Sequence, residues 1–308
     1  MDTRDINEQN IEERSPALLN LLLKDKTTEH NIRWATDNYK QYGFDYAAEC
    51  EIKPDLIIGS HTNIIQPRVS KDQAEQSKRT RDKAEVFTPS WICNEQNNLV
   101  DEAWFGRKDV FNHIVDNGWI TNEEPIAFPE GKTWEHYVDS RRLEVSCGEA
   151  PYLVSRYDTV SGKSIPVKDR IGLLDRKLRV VNENTDYEAD WYKWIIRAYQ
   201  STYGYEYQGD NILLARENLL YTFIDNMLYK FGHEPTLEQL KKIAIIISWN
   251  IWQMDGLTLT APYSEAKPAF VQMSLFDMEE EKGCPIHCKI FDWRSNYSLE
   301  FQSMVNGG

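Results

Sequence analysis

Residues 204–219, GYEYQGDNILLARENL, decide how this chain folds. After Gly204 comes a short strand, and from residue 211 the apolar spacing predicts a helix over 211–231. Glu206 then stands at the carboxyl end of a strand, where an acid can accept both hydroxyls of a ribose. Alone, it reads equally as a strand-end carboxylate in water. Upstream, Trp191, Trp194, Ile195, Ala198 and Tyr199 give helical spacing over 186–203, and an apolar strand over 143–146 runs into Cys147-Gly148. Downstream, Leu240, Ile243, Ile247, Ile251 and Met254 share one face of a helix over 236–254. A last strand, 286–291, ends at Asp292. Strands alternating with helices predict an α/β fold, a largely parallel sheet with helices on both faces.

Farther out, residues 1–45 read as helical around Leu18, Leu19, Leu21, Leu22 and Leu23, and 55–66 as strand-like apolar pairs about a Gly-Ser turn. Residues 91–118 and 131–142 read as helices, 156–184 as an excursion with turn signals at Asp158 and Ser161-Gly162, and 257–283 as loop. This divides the chain into a mainly helical amino-terminal region with a basic linker, 1–84, and an α/β core, 85–308.

Composition sets the outer bounds. The 308 residues carry 35 Lys and Arg against 49 Asp and Glu, a net charge of −14, with 41% hydrophobic residues and ten Trp. That much apolar mass builds a core and excludes a disordered chain. No run approaches the roughly 18 apolar residues of a membrane helix, and the opening MDTRDINEQNIEERS is unlike a signal peptide, so a soluble cytoplasmic protein is expected. A chain this acidic grips nucleic acid poorly by itself. Its most basic window, 68–85, offers Lys78, Arg79, Arg81 and Lys83 as contacts to a DNA backbone, or simply a solvated helix face or linker. The five Cys are odd in number and widely spread, which argues against a disulfide framework. Cys284, His287 and Cys288 lack a second ligand pair and read as a turn into a strand, so no metal is expected.

No nucleophilic triad, no phosphate-gripping GxxxxGK[ST] loop and no GxGxxG spacing is readable. Four segments remain where a doubly wound sheet puts its ligand. In Glu85-Val86-Phe87-Thr88-Pro89, Thr88 can cap a helix that Pro89 opens, and free N–H groups there can donate to a carboxylate. In residues 143–153, Glu144, Cys147, Gly148 and Ala150 form a strand followed by small residues, which lets the backbone approach a ligand closely. Glu206 is the third, and Asp292 with Trp293 the fourth: an acid to accept from an adenine amino group, and an aromatic to stack on its ring.

In this order the four segments resemble the cofactor-binding part of an N6-adenine DNA methyltransferase, most closely the methylation subunits of restriction–modification systems. Glu85 to Pro89 match the family's EVFTP segment near the methionine part of S-adenosylmethionine. Glu144, Cys147 and Gly148 match D-x-x-C-G-x-G-x-F-L, with Ala150 in place of the second glycine and Tyr152-Leu153 in place of Phe-Leu. Gly204, Glu206, Ala215, Arg216, Asn218 and Leu219 match the next segment, and Asp292 resembles the acid near the cofactor's adenine. The resemblance implies a partial Rossmann-like methyltransferase sheet and S-adenosylmethionine as cofactor, with Phe87, Thr88, Pro89, Glu144, Cys147, Gly148, Ala150, Glu206, Asp292 and Trp293 around it. It covers about residues 30–300. The family's catalytic [DNS]-P-P-[YF] loop is absent; Ala261-Pro262-Tyr263 has one proline, no Asn or Asp, and precedes Asp292. No catalytic residue is therefore assigned, and the resemblance implies that a second chain, or missing downstream sequence, brings that loop, with the target-recognition domain and the grip on DNA expected on a partner chain. The alternative is a non-catalytic binding or assembly subunit of the same shape; a small-molecule or RNA methyltransferase would share the cofactor motifs.

Overall fold

Three short strands run parallel at the centre of the computed structural model, which describes residues 7–71, 88–265 and 284–305. They are β3 (Arg142–Val145), β4 (Thr202–Glu206) and β5 (Ile251–Gln253), paired in that order. Helices α5 (Leu173–Asn184) and α6 (Glu188–Gln200) connect β3 to β4, and α7 (Gly209–Phe231) and α8 (Leu237–Asn250) connect β4 to β5. Parallel neighbours need such crossovers, so the fold is mixed α/β with a small parallel sheet.

Side chains alternate across a sheet. The register pairs Glu144 with Gly204 and Gly204 with Ile251, and Val145 with Tyr205 and Tyr205 with Trp252. Glu144, Gly204, Glu206 and Ile251 therefore share one face, and Ile251 joins the main core with Leu213, Ile243 and Ile247. The opposite face carries Leu143, Val145, Tyr203, Tyr205 and Trp252; Tyr205 and Trp252 belong to a separate small cluster with Met254, Cys288 and Ile290. Helices were expected on both faces. Here a hairpin, β6 (Lys289–Asp292) and β7 (Tyr297–Glu300), and the short helix α9 (Phe301–Val305) sit on the second face, with Phe301 5.2 Å from the Trp252 ring. The final strand turns back at Asn296 (φ 57°) into an antiparallel pair instead of joining the parallel sheet.

The amino-terminal region shares the main core. α1 (Glu8–Arg14) leads into α2 (Pro16–Leu23), whose Leu18, Leu19, Leu22 and Leu23 are all buried. Gln253 at the end of β5 clasps Arg33 in both directions, accepting from its N–H at 2.8 Å and donating to its carbonyl at 2.8 Å. At the start of α7, Gly209 donates to the Trp34 carbonyl at 2.9 Å. A Cβ on Gly209 would overlap the Arg33 carbonyl oxygen, so this approach admits only glycine. Arg216, fully buried on α7, donates to the carbonyls of Ile251 (2.8 Å), Leu22 (2.5 Å), Lys24 (3.0 Å) and Ser248 (3.4 Å), tying α2, α8 and β5 together.

Several expected elements differ. Residues 55–66 form short 3-10 turns, Pro54–Leu56 and Gly59–His61, because Gly59 (φ 63°) breaks the apolar pairs before a strand can extend. The helix expected over 91–118 is α3 (Ser90–Phe105), stopped by left-handed Gly106; an Asp116-Asn117 turn then closes a hairpin of β1 (Asn112–Val115) and β2 (Gly118–Thr121). The helix over 131–142 shortens to α4 (Trp134–Asp139). Residues 173–184, expected inside an irregular excursion, are helical, and 251–253, expected within a helix, are strand. No helix among the described residues is long and apolar enough to cross a membrane.

One buried contact makes the fold depend on pH. Glu8 of α1 and Glu217 of α7 are both buried, and Glu8 Oε1 and both Glu217 carboxyl oxygens lack hydrogen-bond partners among the described residues. Burial raises Glu8 to about 7, and burial with the neighbouring Glu8 raises Glu217 well above the carboxylate range. A group whose pKa is raised on folding stabilises most below its unfolded value and loses that contribution as pH rises through the folded one. Stability from Glu8 should thus fall as pH climbs from about 4.5 to about 7, and Glu217 should lose its contribution in the same direction. Urea midpoints at pH 5 and pH 8 should show a larger drop for the natural chain than for the Glu8→Gln, Glu217→Gln double variant; equal drops would remove the pair from the account.

Candidate functional site

Four of the expected site segments come from different parts of the chain, and three meet at the carboxyl end of the parallel sheet. β3 passes into a tight turn in which Gly148 (φ 51°) and Ala150 (φ 65°) adopt left-handed backbone. Ala150 is fully buried there. An alanine at such an angle carries strain that the glycine expected by the resemblance would not. The Cys147 N–H donates to the Tyr205 carbonyl at 2.8 Å, extending the ladder one step past β3. Gly204 lies beneath this turn: a Cβ there would come within 3.1 Å of Cys147 Cβ.

Glu206 closes the turn. Its Oε2 accepts from the Gly148 N–H at 3.0 Å and its Oε1 from the Gln208 N–H at 3.1 Å. Burial raises its pKa, opposed by those backbone donors. Glu144 lies on the same sheet face, and burial pushes its carboxyl well above the usual range, with the nearby Glu206 adding to the rise. Its Oε2 has no hydrogen-bond partner among the described residues, whereas the Tyr152 and Leu153 N–H groups favour its charged form. From α7, Asn218 donates to the Glu149 carbonyl at 3.1 Å, which braces the turn from below.

Thr88 and Pro89 reach the same end. The Thr88 carbonyl accepts from Thr159 Oγ1 at 2.9 Å, and Tyr152, next to Glu144's donors, interacts with Thr88 and Cys93. Thr88 was expected to cap α3 behind a first-turn Pro89. In the structure Pro89 is itself the N-cap residue, and the carboxylate at the helix start is the chain's own Asp158, whose Oδ2 accepts from the Ser90 N–H at 2.9 Å. Burial pushes Asp158 up, but the hydrogen bonds from Ser90 and Ser161 outweigh it and hold the group below the carboxylate range. Phe87, with Glu85 and Val86, lies outside the described residues, as do Lys78, Arg79, Arg81 and Lys83.

Asp292 and Trp293 do not join this group. Asp292 meets Arg141 at 3.4 Å and accepts from the Arg294 N–H at 3.0 Å and Ser295 Oγ at 3.0 Å; Trp293 Nε1 donates to Asn250 at 2.7 Å. Arg141 and Asn250 immediately precede β3 and β5, so both residues sit at the amino end of the sheet. Four strand steps, about 13 Å, separate that end from Glu206. The misplacement follows from β6 belonging to a hairpin and not to the parallel sheet.

The strand-end acid that sequence reasoning missed is Asp255. β5 ends at Gln253, the Met254 N–H donates to the Glu206 carbonyl at 3.0 Å, and Asp255 Oδ1 accepts from the Leu257 and Thr258 N–H groups at 2.8 and 3.2 Å. Its signal was present, Asp255-Gly256 one residue beyond Ile251-Trp252-Gln253, but hidden while those residues read as helix. Tyr207 follows Glu206 at the same end and contacts Tyr263, which raises Tyr207 to about 12 together with burial, the larger cause. Tyr263 is 48% exposed.

Chemically, this end offers carboxyls and turn N–H groups for hydrogen bonding, not a nucleophile. Burial pushes the Cys147 thiol well above its ordinary range and Cys93 to about 12, which keeps both as inert thiols. Among the described residues no group of three or more His, Cys, Asp or Glu side chains is placed to hold a metal ion. Comparison with protein-family models, with curated proteins and with solved structures returns no match for this chain.

Proposed function

We propose that the chain binds S-adenosylmethionine at the carboxyl end of its parallel sheet, as the cofactor-binding part of an N6-adenine DNA methyltransferase of a restriction–modification system. The observation that carries this reading is the contact of Glu206 with the Gly148 turn: an acid at one strand end beside a small-residue turn at the next. The residues suit the group. Among the described residues nothing lies within 4 Å of where a Cβ on Gly148 would stand, and Glu144 Oε2 is a buried acceptor without a partner. Glu206 would take the ribose hydroxyls, and Asp255, in place of Asp292, would accept from the adenine amino group, with Tyr207 and Tyr263 as aromatic neighbours.

When bound, the cofactor supplies an electrophilic methyl group on a sulfonium sulfur. The work of these residues is to hold and orient it; the loop that grips a flipped adenine, and the basic surface that grips DNA, would come from a partner chain or from further sequence. Losing a charged acceptor for two hydroxyls costs about 1.5–3 kcal/mol, so calorimetry should find Glu206→Ala weakened about tenfold or more in cofactor affinity. A natural chain that gives no binding heat with the cofactor would sink the reading.

One observation favours a second reading, a non-catalytic assembly subunit of the same shape: Glu206 already accepts two backbone N–H groups. Tritiated-methyl transfer to DNA, measured with and without the neighbouring gene product, separates the two.

A further inference from the structure

Helices α5 and α7 turn polar residues toward each other. Asp175, Arg179 and Asn182 recur at helical spacing on α5, and Asn226, Tyr229 and Lys230 on α7. Packed helices ordinarily meet on apolar stripes. Here the space between them, bounded by the end of β2 and the turn Val167–Asp169, is a polar groove of about 510 Å³, within the range of about 300–1,000 Å³ for small-molecule sites. Its walls are fixed. Asn182 donates to Asn226 Oδ1 at 2.9 Å and accepts from Trp191 Nε1 at 2.6 Å, and Lys230 donates to the Asn182 carbonyl at 2.7 Å. Arg179 holds the β2 side through the carbonyls of Phe111 and Asn122, at 3.2 and 2.6 Å. Asp175, 5% exposed, accepts through Oδ2 from the Ser155 and Gly172 N–H groups at 2.7 and 3.1 Å, but its Oδ1 has no partner among the described residues. A buried acceptor left unanswered is costly, and this carboxylate lines the groove.

We infer that this groove binds a neutral, hydroxyl-rich ligand, a saccharide of one or two rings, with one hydroxyl donating to Asp175 and a ring face against Tyr229. Charge in the groove itself selects a neutral ligand: Lys168, Arg179 and Lys230 stand against Glu123, Asp175 and Glu183, three of each sign. Behind Asp175 the charges balance as well. Arg156 and Arg170 pair with Asp225 at 2.9 and 2.6 Å, and Arg170 also favours the charged form of Asp175. An ammonium or phosphate group would upset that balance, at a desolvation cost that a hydroxyl avoids. Hydroxyls both donate and accept, which suits walls that mix carboxylate and ammonium groups with carboxamides. Tyr229, 58% exposed, offers the negative face of its ring to the C–H face of a sugar. The inference stands apart from the cofactor reading, because the groove shares no residue with that site.

The test titrates the full, nitrogen-15-labelled chain with D-glucose, D-galactose, N-acetylglucosamine and maltose in turn. At least one should move the Trp191 indole N–H resonance, which reports on Asn182, with a Kd below about 10 mM. Tyr229→Ala should weaken that sugar about fivefold or more without moving the thermal midpoint, because Tyr229 is exposed. Asp175→Asn should weaken it at least as much; if that variant fails to fold, Tyr229→Ala alone decides. No shift with any of the four sugars at about 50 mM, or equal affinity in Tyr229→Ala, overturns the inference. A shift with inorganic phosphate or ethylammonium and none with the sugars also overturns it, by giving the groove to a charged ligand.

Discussion

Gly209→Ala is expected to prevent stable folding. The added Cβ would overlap the Arg33 carbonyl oxygen, fall 2.8 Å from its carbon and 3.0 Å from Ile52 Cδ1. Two of these atoms are backbone, so no rotamer change relieves the clash. Arg33 cannot retreat either, because both its N–H and its carbonyl are held by Gln253 at 2.8 Å. Separating the segments would also break the Gly209–Trp34 hydrogen bond. Overpacking costs about 1–3 kcal/mol and each hydrogen bond about 0.5–1.5 kcal/mol, so the sum approaches the whole stability of a marginal domain, about 5–15 kcal/mol. Circular dichroism should show no cooperative melt, or a midpoint more than about 10 °C lower. Gly118→Ala, whose Cβ would meet only ordinary contacts at 3.7 and 3.9 Å, is the control. If Gly209→Ala melts with the natural chain, the close approach is not rigid.

Arg216→Met should be nearly as damaging. The guanidinium serves four carbonyls from three elements and one connecting residue, and burial draws its pKa to about 10, still charged at neutral pH. Methionine keeps much of the volume but leaves those acceptors buried and unanswered, at about 3–5 kcal/mol for loss of a buried charged partner. Lysine has three donors from a single point and no planar fork, so Arg216→Lys should recover only part of the loss. Urea midpoints of the three proteins should rank in that order, natural chain, lysine, methionine. A methionine variant as stable as the natural chain would assign the tie to packing alone.

Arg216 illustrates what the sequence made legible. The quoted stretch 204–219 marked β4, Glu206 and the start of α7, because a strand-end acid followed by a long apolar period is a local signal. The roles inside it were not local. Arg216, matched to a family position, turns out to bind carbonyls 192 and 194 residues away. α5 was hidden because Asp175, Arg176 and Lys177 interrupt its apolar spacing; all three are buried, with Asp175 capping Ser155 and Gly172 N–H groups and Lys177 serving Ser140 and Ser201. β5 was hidden because Ile251 continues the apolar face of α8 without a break. Reading 251–253 as helix also hid Asp255, just beyond the end of β5. Asp158 at the start of α3 had no sequence signal beyond its turn, since its partner Ser90 is 68 residues distant.

The clasp between Gln253 and Arg33 joins residues 220 apart, and this has a consequence for biosynthesis. At 5–20 residues per second, a ribosome needs roughly 10–45 s to travel that interval. Throughout it, Leu18, Leu19, Leu22 and Leu23 have been made but their covering partner α8 has not. The nascent chain therefore carries its greasiest helix into the cell naked, and its yield should depend on chaperones that hold α2 until β5 leaves the exit tunnel.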